Sequence, residues 1–277
     1  MDATTHKTIE APPTRLDRLK EILQNMGKVV VAYSGGVDST FLLKVGQEAL
    51  GKDILAVTAT SETYPQAELE EAKRMTALLE IRHLIISSEE LDIPGFRANP
   101  TDRCYFCKKE LFSKLQEVAR QEGFHVIVDG SNYDDLGDHR PGMQAARELM
   151  VRSPLQEAQL TKDKIRDYSA QLGLPTWDKP SFACLSSRFP YGEEINEKKL
   201  QMVNQAEIFL RKQGFRQVRV RHHETIARIE VDPSELKRFL EEELIKETVT
   251  RLKELGFTYV TLDLQGFRSG SMNEVLQ

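Results

Sequence analysis

The chain has little cysteine, no surplus of positive charge and no apolar run long enough to span a bilayer. Three cysteines in 277 residues, with an odd one left over, exclude a disulfide framework of the kind that staples small secreted domains. Lys and Arg total 38 against 43 Asp and Glu, a formal net charge of -5, so no overall positive field recruits nucleic acid. The polar opening MDATTHKTIEAPPT lacks both a signal-peptide core and the bias of a transit peptide, which places the chain in the cytoplasm without a membrane partner. There is no internal repeat and no low-complexity tract. A Walker loop is missing too, because no GxxxxGK[ST] with its phosphate-directed lysine occurs.

What is present is an alternation of strand and helix patterns. TRLDRLKEILQNM puts Leu16, Leu19, Ile22, Leu23 and Met26 on one helical face. KVVVAY, DILAVTAT, RHLIIS and HVIVDGS read as strands, and the helices STFLLKVGQEAL, PQAELEEAKRMTALL and KKELFSKLQEVARQ separate them. This order predicts an α/β fold with a doubly wound parallel sheet, whose ligands bind at the carboxyl ends of the strands. Residues 131 to 160 are rich in turn formers and predict a long functional loop. TKDKIRDYSAQLGLP reads as a helix with Thr161 as its cap and Gly173 and Pro175 as its stop. Beyond residue 189 the pattern shifts to a helix, alternating strands RQVRVRH and TIARIEVD, a further helical stretch and TYVTLDL. The expected division is a polar leader over 1–14, the nucleotide domain over 15–189 and a smaller α+β domain over 190–277.

The first strand passes to its helix through Ser34-Gly35-Gly36-Val37-Asp38-Ser39. Two readings suit this turn: a tight connection with Asp38 or Ser39 as helix cap, or an anion cradle of glycine backbone and helix amides. Cys104 and Cys107 stand in a CxxC spacing, RCYFC, and Cys184 lies in KPSFACLSSR beside Lys179 and Arg188, whose positive charge is expected to favour the thiolate. Arg219 and Arg221 alternate along a strand and share one face, a geometry suited to clamping phosphate, with an exposed strand face as the plain alternative. His222 and His223 point to opposite faces and read as surface residues.

SGGVDS resembles the pyrophosphate-loop signature of the ATP pyrophosphatase superfamily, whose members cleave ATP between the α- and β-phosphates. The resemblance narrows over GSNYDDLGDHRPGMQAARELMVRSPLQEAQLTKDKIRDYSAQLGLPTWDKPSFACLSSRFPYG, RVRHHETIARIEVD and LDLQGFRSGSMNE, which look like the LarE family. That resemblance implies an ATP-dependent sulfur transferase acting on pyridinium-3,5-dicarboxylate mononucleotide, on the way to the nickel-pincer cofactor of lactate racemase. It implies that Ser34, Gly35, Gly36, Asp38 and Ser39 hold pyrophosphate, that Thr60 and Gly130 flank the adenosine, and that Mg²⁺ accompanies ATP. It further implies phosphate contacts from Arg219 and Arg221, a metal ligand in Glu230 and a homo-oligomer. His139 and Arg140 in the DHRPG loop suit phosphate or a loop salt bridge, and Arg188 suits the substrate.

The cysteines leave the sulfur chemistry open. In one form of the family a single cysteine, here matching Cys184, gives up its own sulfur. Three cysteines suit instead a [4Fe-4S] cluster with an open iron that takes exogenous sulfide, the reading favoured here. A redox pair relaying persulfide sulfur from Cys104 and Cys107, or zinc completed by a histidine, is the alternative. A tRNA thiolase or an amide-forming enzyme of the same superfamily is the rival function, as is a sulfur carrier with a vestigial nucleotide fold; an intact SGGVDS speaks against the last.

Overall fold

The computed structural model describes residues 14–137, 141–180, 183–268 and 270–276. Its first unit is a parallel sheet of strands β1 (Val29–Ala32), β2 (Ile54–Thr60), β3 (His83–Ser87) and β4 (Val126–Val128), in the order β3-β2-β1-β4. Valines 29 to 31 have no exposed surface, as befits a central parallel strand covered by helices on both faces. Helices α1 (Arg15–Met26), α2 (Val37–Leu50), α3 (Gln66–Leu78) and α4 (Arg103–Glu122) connect or flank these strands. The doubly wound parallel sheet expected of the sequence is therefore present, and the strand order reverses at β1, between β2 and β4.

The stretch from 131 to 160 corrects the expectation of a bare loop. It carries α5 (Gly142–Glu148) and α6 (Pro154–Glu157), and Ala145, Leu155, Ala158 and Leu160 are fully buried. Turn-forming residues and core residues alternate too closely there for periodicity to register. Helix α7 (Lys162–Gln171) follows, with the Thr161 hydroxyl accepting the Lys164 amide at its start.

The second unit has a three-stranded sheet, β5 (Val218–His223), β6 (Ile226–Val231) and β7 (Tyr259–Leu262), with β5–β6 antiparallel and β6–β7 parallel. Helices α8 (Glu197–Lys212) and α9 (Glu242–Glu254) pack on it, and a 3-10 segment, Pro233–Leu240, stands where one continuous helix was expected. Asp232 caps that segment by accepting the Ser234 amide, so the chain enters α9 only after Glu241. The core of this unit recruits Leu91, Phe96, Leu185 and Phe189 from earlier in the chain. The segments around 90 and 185 thus tie the two units together. Among the described residues, no helix is long and apolar enough to cross a membrane.

Candidate active site

The turn after β1 is built for close approach. Gly35 has φ +68°, and a Cβ there would lie 3.3 Å from the Ala72 side chain. A Cβ on Gly130, after β4, would come within 3.0 Å of the Ser39 amide nitrogen, so the β4 end lies directly against the start of α2. The helix begins at Gly36 without any side-chain cap. Asp38 is consequently not a cap: it stands in the first turn, its Oδ2 accepts from the Lys162 ammonium at 2.5 Å, and its Oδ1 is buried without a partner among the described residues. Ser39 Oγ lies 3.1 Å from Ser34 Oγ and 3.3 Å from the Gly36 carbonyl. No side chain caps the first amides of α2, a geometry suited to an anion, and the orphaned Asp38 oxygen fits a hard divalent cation such as Mg²⁺.

Two further groups brace this loop. Tyr64 OH donates to the Ser34 carbonyl at 3.0 Å, and the Lys179 ammonium donates to the Gly35 carbonyl at 3.1 Å. Lys179 also meets Glu68 at 2.7 Å and Glu71 at 2.9 Å. Burial raises the Tyr64 hydroxyl above its ordinary value, with Glu68 adding to the effect, so it acts as a neutral donor. Thr60, at the end of β2, donates to the Ile86 carbonyl of β3 at 3.3 Å. Arg140 and His139 lie outside the described residues.

Cys104 and Cys107 fall in the first two turns of α4, not ahead of it, and their three-residue spacing puts them on one helical face. Cys104 is exposed, while Cys107 and Cys184 are half-buried. The thiols stand close enough that Cys184 feels Cys104 and Cys107 feels Cys184. The expected thiolate at Cys184 is not what the surroundings favour. Burial of the sulfur pushes the thiol up, Arg103 is the leading opposing charge and Arg188 follows it; Lys179 is committed to the pyrophosphate loop. Burial likewise raises Cys107 well above its ordinary value, and Glu90 adds to this through charge and a hydrogen bond from Sγ at 3.0 Å. Deprotonation of Cys107 and Cys184 therefore calls for a soft cation or cluster as partner, and sulfur donors fit one. Among the described residues, no group of three or more His, Cys, Asp or Glu side chains is arranged to hold a metal ion.

Arg103, buried at the start of α4, donates to the Ser186 carbonyl at 2.9 Å and to Asn99 Oδ1, and Asn99 in turn donates to the Phe189 and Pro190 carbonyls. Arg188 is fully buried, donating to Glu207 through Nε at 2.7 Å and Nη2 at 2.9 Å and to the Ala183 carbonyl at 2.7 Å and the Cys184 carbonyl at 3.0 Å. Its role here is to hold the Cys184 segment. Arg219 and Arg221 share a face, as expected, but that face is buried. Arg221 donates to Glu230 at 2.7 Å, and Arg228 donates to the other Glu230 oxygen at 3.1 Å. Glu230 thus serves as counter-ion to arginines.

Burial works to raise the Glu207 carboxyl, but Arg188, Arg211 and Arg219 override it and hold it at about 2. Burial, with Arg188 and Arg221 adding to it, draws Arg219 down to about 9. Three guanidiniums, of Arg188, Arg211 and Arg219, crowd one carboxylate. His222 is a further correction: it is buried beside the Phe189 and Phe257 rings, with Nδ1 2.5 Å from Glu193.

Sequence reasoning missed Lys162, Tyr64, Arg103, Glu90 and Glu207. Glu207 left a trace, since it interrupts the apolar face Val203, Ala206 and Leu210 of α8. The others act through partners 17 to 124 residues away and left none.

The family profile of NAD synthase matches residues 14–103, the part that contains the pyrophosphate loop. A pyridinium-3,5-bisthiocarboxylic acid mononucleotide synthase of Lactiplantibacillus plantarum is 39% identical over 265 residues, 95% of this chain and 95% of that protein. The chain belongs to the LarE family. A protein of Synechocystis sp. described as uncharacterized is 46% identical over 95% of this chain and 98% of its own length. A further relative of Methanocaldococcus jannaschii, also described as uncharacterized, is 29% identical over 91% of this chain and 95% of its own. LarE resemblance thus runs through both units and not only the nucleotide half.

Proposed function

We propose that the chain uses ATP to activate a carboxylate of pyridinium-3,5-dicarboxylate mononucleotide and replaces an oxygen with sulfur, a step toward the nickel-pincer cofactor of lactate racemase. The observation that carries this reading is Lys179, whose ammonium joins the pyrophosphate loop to the chain segment that bears Cys184. Adenylation and sulfur delivery then share one edge of the sheet. The named activity of the Lactiplantibacillus plantarum relative supports the same substrate class.

A carboxylate resists attack because its leaving group would be oxide. Its oxygen attacks the α-phosphorus of ATP, the P–O bond to the β-phosphate breaks, and pyrophosphate leaves into the Ser34–Ser39 loop. The α2 amides and Lys162 receive its negative charge, and Asp38 would hold Mg²⁺ there. Sulfide then attacks the acyl carbon: a C–S bond forms, the C–O bond to AMP breaks, and the hydrosulfide proton passes to water. Carboxylate, ATP and hydrosulfide become thiocarboxylate, AMP, pyrophosphate and a proton, with no change of redox state.

Cys104, Cys107 and Cys184 would hold a [4Fe-4S] cluster, which when bound supplies an iron open to exogenous sulfide. Arg219 and Arg221, crowded by Arg188, are assigned to the substrate's phosphate. Metal binding by Glu230 requires its release from Arg221 and Arg228. The same reading makes the protein a homo-oligomer, which light scattering checks.

Anaerobic purification followed by iron and acid-labile sulfide analysis tests the cluster, with about four of each per chain expected. Zinc without sulfide contradicts it. Cys104→Ala and Cys107→Ala are expected to stop repeated turnover on added sulfide; a single turnover per chain in these variants and in the unaltered protein alike, with dehydroalanine at position 184 detected by mass spectrometry, establishes the sacrificial route instead.

A further inference from the structure

Asn99 and Arg103 stand at the entrance to α4, just ahead of Cys104 and Cys107, and both are buried. Their side chains are joined, the Arg103 guanidinium donating to Asn99 Oδ1. From this pair the donors reach a stretch of chain 83 to 91 residues further on. Arg103 Nη1 donates to the Ser186 carbonyl at 2.9 Å, and Asn99 Nδ2 donates to the Phe189 carbonyl at 3.2 Å and the Pro190 carbonyl at 2.6 Å. The Asn99 carbonyl accepts the Gly192 amide at 2.9 Å. The segment that follows Cys184 is therefore pinned to the start of the CxxC helix.

Arg188 makes a different connection. It ties the Ala183 and Cys184 carbonyls to Glu207 of α8, and so fixes the turn against the second unit. The link to α4 comes from Arg103 and Asn99. Their acceptors are backbone carbonyls and their donors a guanidinium and an amide, and none of these groups changes when a thiol loses its proton or takes a metal. The contacts thus persist through every state of the sulfur chemistry. Both partners of Arg103 are neutral oxygens, so its buried charge faces Cys184, where it is the leading opposing charge. Negative charge gathered on the sulfurs balances that guanidinium.

We propose that Arg103 and Asn99 are positioning residues, a clamp that holds Cys184 against Cys104 and Cys107 so that the three sulfurs work as one site. The proposal rests on the thiolation reading above and names the residues that assemble its sulfur-delivering half.

Arg103→Gln, Arg103→Lys and Asn99→Gly are compared with the unaltered protein. Glycine at position 99 removes the amide without straining a backbone that stands at φ +51°, and it leaves the Arg103 charge in place. In metal-free, reduced protein, dibromobimane bridges neighbouring thiols, and peptide mass spectrometry gives the yield of bridges from Cys184 to α4 relative to the Cys104–Cys107 bridge. That ratio is expected to fall about 10-fold in Arg103→Gln and Asn99→Gly. In Arg103→Lys, which keeps the charge and a donor for Ser186, it is expected to fall by about 3-fold. In reconstituted protein with MgATP, the dicarboxylate mononucleotide and sulfide, AMP and thiocarboxylate are expected to fall together by similar factors, while the first-turnover burst of pyrophosphate is kept. A bridge ratio unchanged in either Arg103→Gln or Asn99→Gly overturns the proposal, as does a pyrophosphate burst lost in step with thiocarboxylate. Should Arg103→Gln fail to fold, Asn99→Gly decides. If the unaltered protein forms no pyrophosphate, the thiolation reading fails, and the bridge ratio still decides whether the clamp aligns the sulfurs.

Discussion

The two charged regions of this protein are built on opposite plans. At the sheet edge, Asp38 keeps one oxygen unpartnered among the described residues, and Lys162 and Lys179 hold positions that an incoming phosphate and its cation can contest. In the second unit, Glu207 and Glu230 are fully buried with both oxygens engaged by arginines. The first region is poised for exchange; the second fixes the position of the Cys184 segment through Arg188. Charge at the sheet edge serves chemistry, whereas the Glu207–Arg188 pair serves architecture, and partner satisfaction separates the two.

Four changes break or sharpen this contrast. Cys184→Ala has the largest expected effect: thiocarboxylate formation and the AMP release coupled to it are lost, while a first-turnover burst of pyrophosphate, up to the amount of protein, persists. Asp38→Ala is expected to lower ATP-to-AMP conversion by about 100-fold or more with an unchanged melting temperature, since it removes a charge aimed at the transition state. A substantial fall in melting temperature would move Asp38 to the architectural class. Glu207→Ala is expected to do the reverse, costing about 3–5 kcal/mol of stability in denaturant titration because it removes the carboxylate that balances the buried Arg188 guanidinium.

The acid limb gives a smaller and graded version of the same effect. Glu207 is held at about 2, below its unfolded value near 4.5. Its contribution is complete above that unfolded value and is lost as pH falls through about 2, amounting to roughly 3 kcal/mol. Melting curves between neutral and strongly acid pH check this, and Glu207→Gln is expected to flatten that part of the profile.

The sheet and the pyrophosphate loop were legible because their signals are local. Valines 29 to 31, two glycines and a helical apolar pattern lie within a few residues of each other. The shared face of Arg219 and Arg221 was legible for the same reason, from strand alternation. Its burial was not, since that depends on α8 and on Glu207, which lies 12 residues away from Arg219 in another element. Lys179 shows the limit most clearly: its proximity in sequence to Cys184 suggested a thiolate partner, but Gly35, Glu68 and Glu71 hold the ammonium. Sequence neighbours predict side-chain partners well along one element and poorly across a loop.

The most direct measurement follows both products in one reaction. Anaerobically reconstituted protein is incubated with MgATP, pyridinium-3,5-dicarboxylate mononucleotide and isotopically labelled sulfide, and AMP and thiocarboxylate are quantified by mass spectrometry. The predicted result is equal amounts of AMP and labelled thiocarboxylate, accumulating well beyond the amount of protein. Absence of AMP would contradict the adenylating edge, and unlabelled thiocarboxylate limited to the amount of protein would contradict catalytic sulfur delivery by the three cysteines.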